Sequence, residues 1–322
     1  QQVAKRLTSL GAKFTELTEK GQVVVNEKTL EQQTIPEAKV ISEYFLLQKR
    51  AGLFDSWLKA VKDDGRVHGR VNTIGAITGR MTHSSPNMAQ VPAVRAVWGL
   101  ESRQSFIVEE GNVLVGCDAS GLELRMLAHY VNDVEYTRQI LEGDIHTYNQ
   151  GMAGLATRDQ AKTFIYAMLY GAGDTKIGSI TGQGAPHGKK LKSNFAQSLP
   201  GYGRLLQQMR NAAAVNKVEG IDGRYIRIRS EHAALNSLLQ GAGAIVMKVA
   251  LVQAYKTLKL ANIPFQIVAN IHDEIQVETP SHFGKAVGMH MRQAMIKAGE
   301  ILKLKCPLDG EFNIGANWAE TH

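Results

Sequence analysis

Two aspartates stand where a folded chain can hold a carboxylate rigidly and still leave it wet. Asp118 follows the short apolar run Val113 to Cys117, and Asp273 lies between two further apolar stretches, Phe265 to Ile271 and Ile275 to Glu278. These runs have the length and composition of strands, and the second pair reads as a tight hairpin with His272, Asp273 and Glu274 at its turn. Both carboxylates are therefore expected at the exposed ends of buried elements. Such a placement suits Mg2+, which takes one or two carboxylates and keeps its waters or substrate phosphates. Two such carboxylates from different strands could hold two ions about 4 Å apart, the arrangement for in-line phosphoryl transfer. Either aspartate alone is as readily a turn or cap residue.

A second constellation lies on one helix. Arg158, Lys162, Tyr166 and Tyr170 recur every four residues, so they form one stripe, with Ala161, Phe164 and Met168 on the opposite side. Two cations followed by two rings could grip a triphosphate and then pack against a sugar and base, although the spacing alone also describes a solvated helix face. His146, twelve residues before Arg158, could add a phosphate donor. Arg80 and Gln90 sit in a polar loop that could follow a nucleic-acid groove, and Gln240 interrupts an apolar helix, where burial would demand a partner.

The elements that must position these residues follow from periodicity and punctuation. Pro36 opens a helix of about 20 residues in which Val40, Ile41, Tyr44 and Leu47 keep helical spacing. Val67, Gly69 and Val71 alternate as in a strand. The run ending at Cys117 passes directly into a helix from Leu122 to Val131, a strand-to-helix junction at Asp118. A helix from Arg158 to Tyr170 precedes a glycine-rich loop at Gly178 to Gly188. Tyr225 to Arg229 predicts a strand with Arg227 and Arg229 on one face, and Leu235 to Leu258 a largely buried helix whose Gly241 and Gly243 admit close backbone approach.

The chain has 322 residues, enough for about two domains. Its 37 Lys and Arg against 30 Asp and Glu leave a net charge of +7, which favours a polyanionic partner without requiring one. With 44% hydrophobic residues, disordered and fibrous classes are excluded. Cys117 and Cys306 cannot make a disulfide framework, which fits a reducing cytoplasm, and no run is expected to approach the ~18 apolar residues of a membrane span.

These residues carry a resemblance. Asp118-Ala-Ser-Gly-Leu-Glu-Leu-Arg-Met-Leu-Ala-His129 resembles motif A of the family A (DNA polymerase I family) DNA polymerases. Arg158-Asp-Gln-Ala-Lys-Thr-Phe-Ile-Tyr-Ala-Met-Leu-Tyr-Gly171 resembles their motif B, and Ile271-His-Asp-Glu-Ile275 their motif C. Thr78-Gly-Arg80, Pro86-Asn-Met-Ala-Gln90 and Leu235-Asn-Ser-Leu-Leu-Gln240 also match. Gly143-Asp-Ile-His146 and the segment Asn317-Trp-Ala-Glu-Thr-His322 are most similar to replicative polymerases of T-odd, short-tailed phages.

The resemblance implies an α+β right-hand fold. Residues 1–66 would form part of a thumb, 67–135 and 225–322 an antiparallel palm, and 136–224 helical fingers. It implies that Asp118 and Asp273 bind two Mg2+ ions and that Arg158, Lys162 and His146 grip the phosphates of a dNTP, with Lys162 donating a proton to pyrophosphate. Glu123 would close the 2′ side of the sugar pocket, Tyr166 would pack by the sugar and go with tolerance of 3′-deoxy analogues, and Tyr170 would stand near the templating base. Arg80, Gln90, Asn236, Gln240 and His272 would contact primer-template DNA, with Glu274 and His272 supporting the motif C turn. His232 and Gly121 depart from the bacterial repair branch, which has arginine and glutamine there. The phage relatives carry an exonuclease and a complete thumb ahead of this region, so a truncated polymerase or a separate exonuclease-bearing polypeptide is expected. Competing readings are a single-subunit phage-type RNA polymerase, a catalytically silent DNA-binding subunit and a two-metal nuclease. Glu123 and Glu274 argue against the first, the retained aspartates and cations against the second, and the cation-aromatic stripe against the third.

Overall fold

The apolar run ending at Asp118 becomes a strand, Asn112–Ala119, inside a four-stranded antiparallel sheet. The computed structural model of the chain describes residues 1–321; His322, which closes the terminal match above, lies outside the described residues. Glu274–Pro280 flanks the central strand on one side and Gly310–Gly315 on the other, and Gln266–Ile271 forms an edge. Register sets Val115 opposite both Val277 and Ile314, and Asp118 opposite both Glu274 and Glu311.

Alternation divides the two faces. Val115, Cys117, Ile275 and Val277 are buried in the main core, where helix Gly284–Ile301 covers the sheet. The other face is polar and also buried. Glu278 accepts from the Glu109 N–H (3.1 Å) and from Asn112 Nδ2 (2.8 Å), and Gln276 Oε1 accepts from the Thr321 hydroxyl (3.0 Å). These bonds offset the desolvation of each group.

The hairpin is tighter than the sequence predicts. Its turn is only His272 and Asp273, with His272 at φ +58°, and Glu274 is already the first residue of a strand. The predicted strand around Val67 to Val71 reduces to a single Val61–Val67 bridge and the short strand Arg70–Asn72. Of the predicted glycine-rich loop only residues 180–184 are a loop, between the two helices Asp174–Ser179 and Ala185–Ser198. Gly178 and Gly188 serve their contact, since a Cβ at Gly188 would lie 1.9 Å from the Asp174 carbonyl oxygen.

Helix Glu231–Leu260 reaches a mean hydropathy of 1.5 over 18 residues, so one element does have the length and apolarity of a membrane span. The expectation of none is corrected. Packing accounts for the composition: Leu238, Leu239, Val246, Met247 and Leu258 are buried in the core, and the helix packs on Gly284–Ile301, Pro200–Ala214 and Leu122–Val131. Gly241 lies against Ile226 and Gly243 against Leu122. Ile226 and Ile228 point inward while Arg227 and Arg229 are exposed, although the strand itself covers only Tyr225–Arg227.

The chain divides into two compact units, residues 1–70 with 84–86, and residues 71–83 with 87–321. The first has its own small core of Leu7, Ala12, Leu30 and Ala38, with Ile41 and Phe45 packed against it. Helix Pro36–Ala60 is longer than predicted, and its Val40, Tyr44 and Leu47 are exposed. Of the helically spaced apolar residues only Ile41 packs on this core, joined by Ala38 and Phe45.

Candidate active site

Asp118 and Asp273 stand, both partly buried, at one end of the sheet. The Ala119 N–H donates to the Asp273 carbonyl (3.0 Å), which ties the strand that ends in one aspartate to the turn that carries the other. Arg125 braces the same junction from the following helix, donating from Nε to the Ser120 carbonyl (2.6 Å) and from Nη1 to the Pro307 carbonyl. Among the described residues, no group of three or more His, Cys, Asp or Glu side chains encloses a metal. Burial and the nearby charge of Glu123 push the Asp273 carboxyl above the usual carboxylate range. The donor set is thus sparse and all oxygen, which fits Mg2+ drawing its other ligands from water and phosphate.

Glu123 lies one turn beyond Asp118. The Tyr170 hydroxyl donates to its Oε1 (3.0 Å), and Arg80 Nη2 stands 3.9 Å from the same oxygen. Burial, then the charge of Glu123, raises the Tyr170 hydroxyl pKa, so it remains a donor. Gly171 makes this placement possible: it sits at φ +78°, and a Cβ there would lie 2.3 Å from the His232 carbonyl oxygen.

The cation stripe is a true helix, Arg158–Leu169, opened by a capping box between Thr157 and Gln160. Ala161, Phe164, Ile165 and Met168 are buried, whereas Arg158 and Lys162 are exposed. Arg158 Nε donates to Asp144 Oδ2 (2.7 Å), and Asp144 also caps the helix Ile145–Ala153. His146, the second residue of that helix, brings its ring to within 6.2 Å of the Tyr166 ring, centroid to centroid. Its Nδ1 is buried with no hydrogen-bond partner, and burial together with the charges of Arg158 and Lys162 lowers its pKa. Lys162 has no ion-pair or hydrogen-bond partner among the described residues. Asp144 escaped sequence reasoning as an anchor, although it stands within the quoted Gly143 to His146 segment.

The other predicted contacts occupy several elements. Arg80 and His272 line one cavity of about 40 Å3 together with His83, Lys248 and Asn270. Gln90 is exposed at the end of the single-turn helix Met88–Gln90. Asn236 donates to the Leu169 carbonyl (3.3 Å), tying the long helix to the end of the stripe helix, and Gln240 is half-buried one turn further on.

Glu274, predicted with the catalytic set, is 3% exposed. It accepts from Trp318 Nε1 (2.7 Å) and from Gln276, and Arg103, stacked 4.5 Å over the Trp318 ring, brings Nη1 to 3.8 Å from Oε2. These contacts hold Glu274, the residue after Asp273, in the buried polar face of the sheet. Arg103 carries no signal in the sequence and Trp318 only as part of the matched segment Asn317 to His322, because both meet Glu274 only through folding.

Histidine burial has a measurable consequence. The Lys305 N–H donates to His129 Nδ1 (3.2 Å), which keeps that nitrogen unprotonated. Burial, as the largest cause, holds His83, His129 and His146 below the ordinary imidazole value. Below pH about 6.5 the unfolded chain takes up protons that the folded chain refuses, so this stability is present above that pH and lost as pH falls through it. The Tm is expected to drop between pH 7 and 5. His129→Gln, which keeps an acceptor for Lys305, should flatten that slope, and an unchanged slope rules His129 out as a contributor.

The model for DNA polymerase family A matches residues 1–320 of the chain. The chain belongs to DNA polymerase family A. A DNA-directed DNA polymerase of Enterobacteria phage T3 is 40% identical over 99% of this chain and 52% of the relative, and that of Escherichia phage T7 is 39% identical with the same coverage. The thermostable DNA polymerase I of Thermus aquaticus is 30% identical over 79% of this chain and 32% of its own length. The chain thus spans about half the length of the phage relatives it matches. Its fold is that of the POL domain of Pol1 from M. smegmatis, solved in complex with DNA primer-template and dNTP, with a TM-score of 0.86 at 23% identity over 98% of this chain and 60% of that one. The expected α+β family A polymerase fold is therefore observed.

Proposed function

We propose that these residues form the polymerase portion of a template-directed DNA polymerase that adds deoxynucleotides to a primer 3′-hydroxyl in phage DNA replication, in the host cytoplasm. Residues 67–135 and 225–322 are read as palm, 136–224 as fingers and 1–66 as part of a thumb. The reading is carried by one observation: two strand-end carboxylates joined by the Ala119–Asp273 bond, with Glu123 and Tyr170 hydrogen-bonded beside them. Activities of the other half of the phage relatives, an exonuclease among those the resemblance implies, are assigned to residues other than these, on the same or a separate polypeptide.

Two Mg2+ ions held by Asp118 and Asp273 would supply the Lewis acidity that activates a primer hydroxyl and offsets triphosphate charge. The chain supplies the rest. Arg158, steadied by Asp144, and His146 orient the phosphates, and Lys162 donates a proton to the departing pyrophosphate. Tyr166 packs by the sugar, and Glu123 fills the space a 2′-hydroxyl would need. Arg80 and Gln240 meet the minor-groove acceptors common to correct pairs, and Glu274 holds the Asp273 turn. The phage relatives and Glu123 together favour DNA over RNA synthesis.

Primer extension with Mg2+ and either dNTPs or rNTPs tests this. The wild-type protein is expected to extend with dNTPs only. Glu123→Ala should narrow the preference by about tenfold or more, the scale of one lost steric or polar exclusion. Unaltered discrimination in that variant would remove Glu123 from the sugar pocket, and no extension by the wild type in the presence of a primer-template would remove the polymerase reading.

A further inference from the structure

The polymerase reading makes Arg80 a probe of the primer terminus, and the following inference rests on it. An arginine that reports on one hydrogen-bond acceptor needs a fixed backbone, because its long side chain already has several torsions through which alignment is lost. Arg80 leaves a loop, the kind of segment that is ordinarily mobile. Within that loop the Gly79 N–H donates to the Ala76 carbonyl (2.8 Å) and the Ala76 N–H to the Arg80 carbonyl (3.2 Å), with Gly79 at φ +79°.

Contacts from outside the loop converge on Gly79. Lys248 Nζ, on the long helix, donates to the Gly79 carbonyl at 2.7 Å. The Arg224 guanidinium packs over Gly79 so closely that a Cβ there would lie 2.8 Å from Nη2, and Arg224 is itself held by Asp222 (Nε to Oδ2, 2.6 Å). Two turns before Lys248, Gly241 faces the same loop, with the Thr78 carbonyl oxygen 3.5 Å from where a Cβ would stand. Lys248 is half-buried, and burial followed by the charge of Arg224 lowers its pKa. An ammonium in such a place is costly unless it is hydrogen-bonded, and its bond goes to the residue before Arg80.

We propose that Lys248 is a positioning residue for reading the primer terminus: by holding the Gly79 carbonyl to the long helix, it fixes the backbone from which Arg80 reaches a minor-groove acceptor. The helix that carries Gln240 would thereby set the reach of both minor-groove probes.

Primers ending in guanine or in 3-deazaguanine, which lacks the N3 acceptor of the minor groove, isolate this function. The wild-type protein is expected to extend the 3-deaza terminus about tenfold more slowly, the effect of one charge-assisted hydrogen bond. Lys248→Met should shrink that penalty to about twofold or less. Lys248→Arg, which keeps a donor for the Gly79 carbonyl, should restore most of it. Lys248→Gln ends one bond short of the ammonium position and should fall between; it replaces the Met variant if thermal melting shows that the latter is unfolded. Met and Gln variants that keep the full tenfold penalty overturn the assignment. A wild-type enzyme that extends both primers equally overturns it together with its premise about Arg80, and one that extends neither removes the polymerase reading itself.

Discussion

Asp273→Asn is expected to reduce primer extension by about a thousandfold or more while leaving the fold intact or slightly more stable. The loss follows from the carboxylate's place: with Asp118 it is half of the proposed ion-binding pair, and about 4 kcal/mol of transition-state stabilisation corresponds to a thousandfold in rate. The stability change has its own cause. Burial and the Glu123 charge hold the Asp273 carboxyl above its ordinary value, so the folded chain binds a proton more readily there than the unfolded chain does. Stability from this group is present at low pH and lost as pH rises through the raised value. At neutral pH the ionised group opposes folding, and a neutral amide of the same shape removes that opposition. Single-turnover extension and thermal melting with and without Mg2+ check both halves. The wild-type Tm should rise with Mg2+ and the variant's much less. A variant with wild-type extension would take Asp273 out of the site.

Lys162→Met is expected to lower the rate of nucleotide addition by about a hundred- to a thousandfold, within the range of a general acid that also stabilises developing charge. Two neighbouring cations differ in a way that predicts unequal effects. Arg158 is engaged by Asp144 at 2.7 Å, so it is positioned before substrate arrives and its loss should weaken nucleotide binding first. Lys162 is exposed with no ion-pair or hydrogen-bond partner among the described residues, so under the proposed function its interactions form with the substrate. In pre-steady-state addition of one nucleotide, Lys162→Met should depress the maximal rate more than the apparent Kd, with Arg158→Met showing the reverse weighting. Equal division of the two effects in both variants would contradict these separate roles.

Much of the fold was legible because apolar runs and caps are local signals. Asn112–Ala119 follows from a compact apolar run, and Arg158–Leu169 from the four-residue spacing of its cations and rings. The proposed site could be read for the same reason: its aspartates and cations sit at element ends or on one helix face. What stayed hidden depends on encounters between distant segments. Glu274 looks like a turn carboxylate until Trp318 and Arg103 cover it. Asp144 looks like a cap until Arg158, on the next helix, donates to its Oδ2, the oxygen that also accepts from the Thr147 hydroxyl. Gly178 and Gly188 look like a loop because glycine marks both flexibility and close packing. Val40 and Tyr44 keep helical spacing on a face that nothing within their own unit covers.

The central strand of the sheet has a consequence for biosynthesis. Asn112–Ala119 pairs on one side with residues about 160 further along the chain and on the other with residues about 200 further along. At the usual pace of translation, roughly 5–20 residues per second, both of its edges wait about 8 to 40 s for a partner. During that interval an apolar strand with two unpaired edges is a template for aggregation. Yield from fast, warm expression should therefore suffer more than yield from slow expression, and a chaperone that shields this segment would act before the sheet can close.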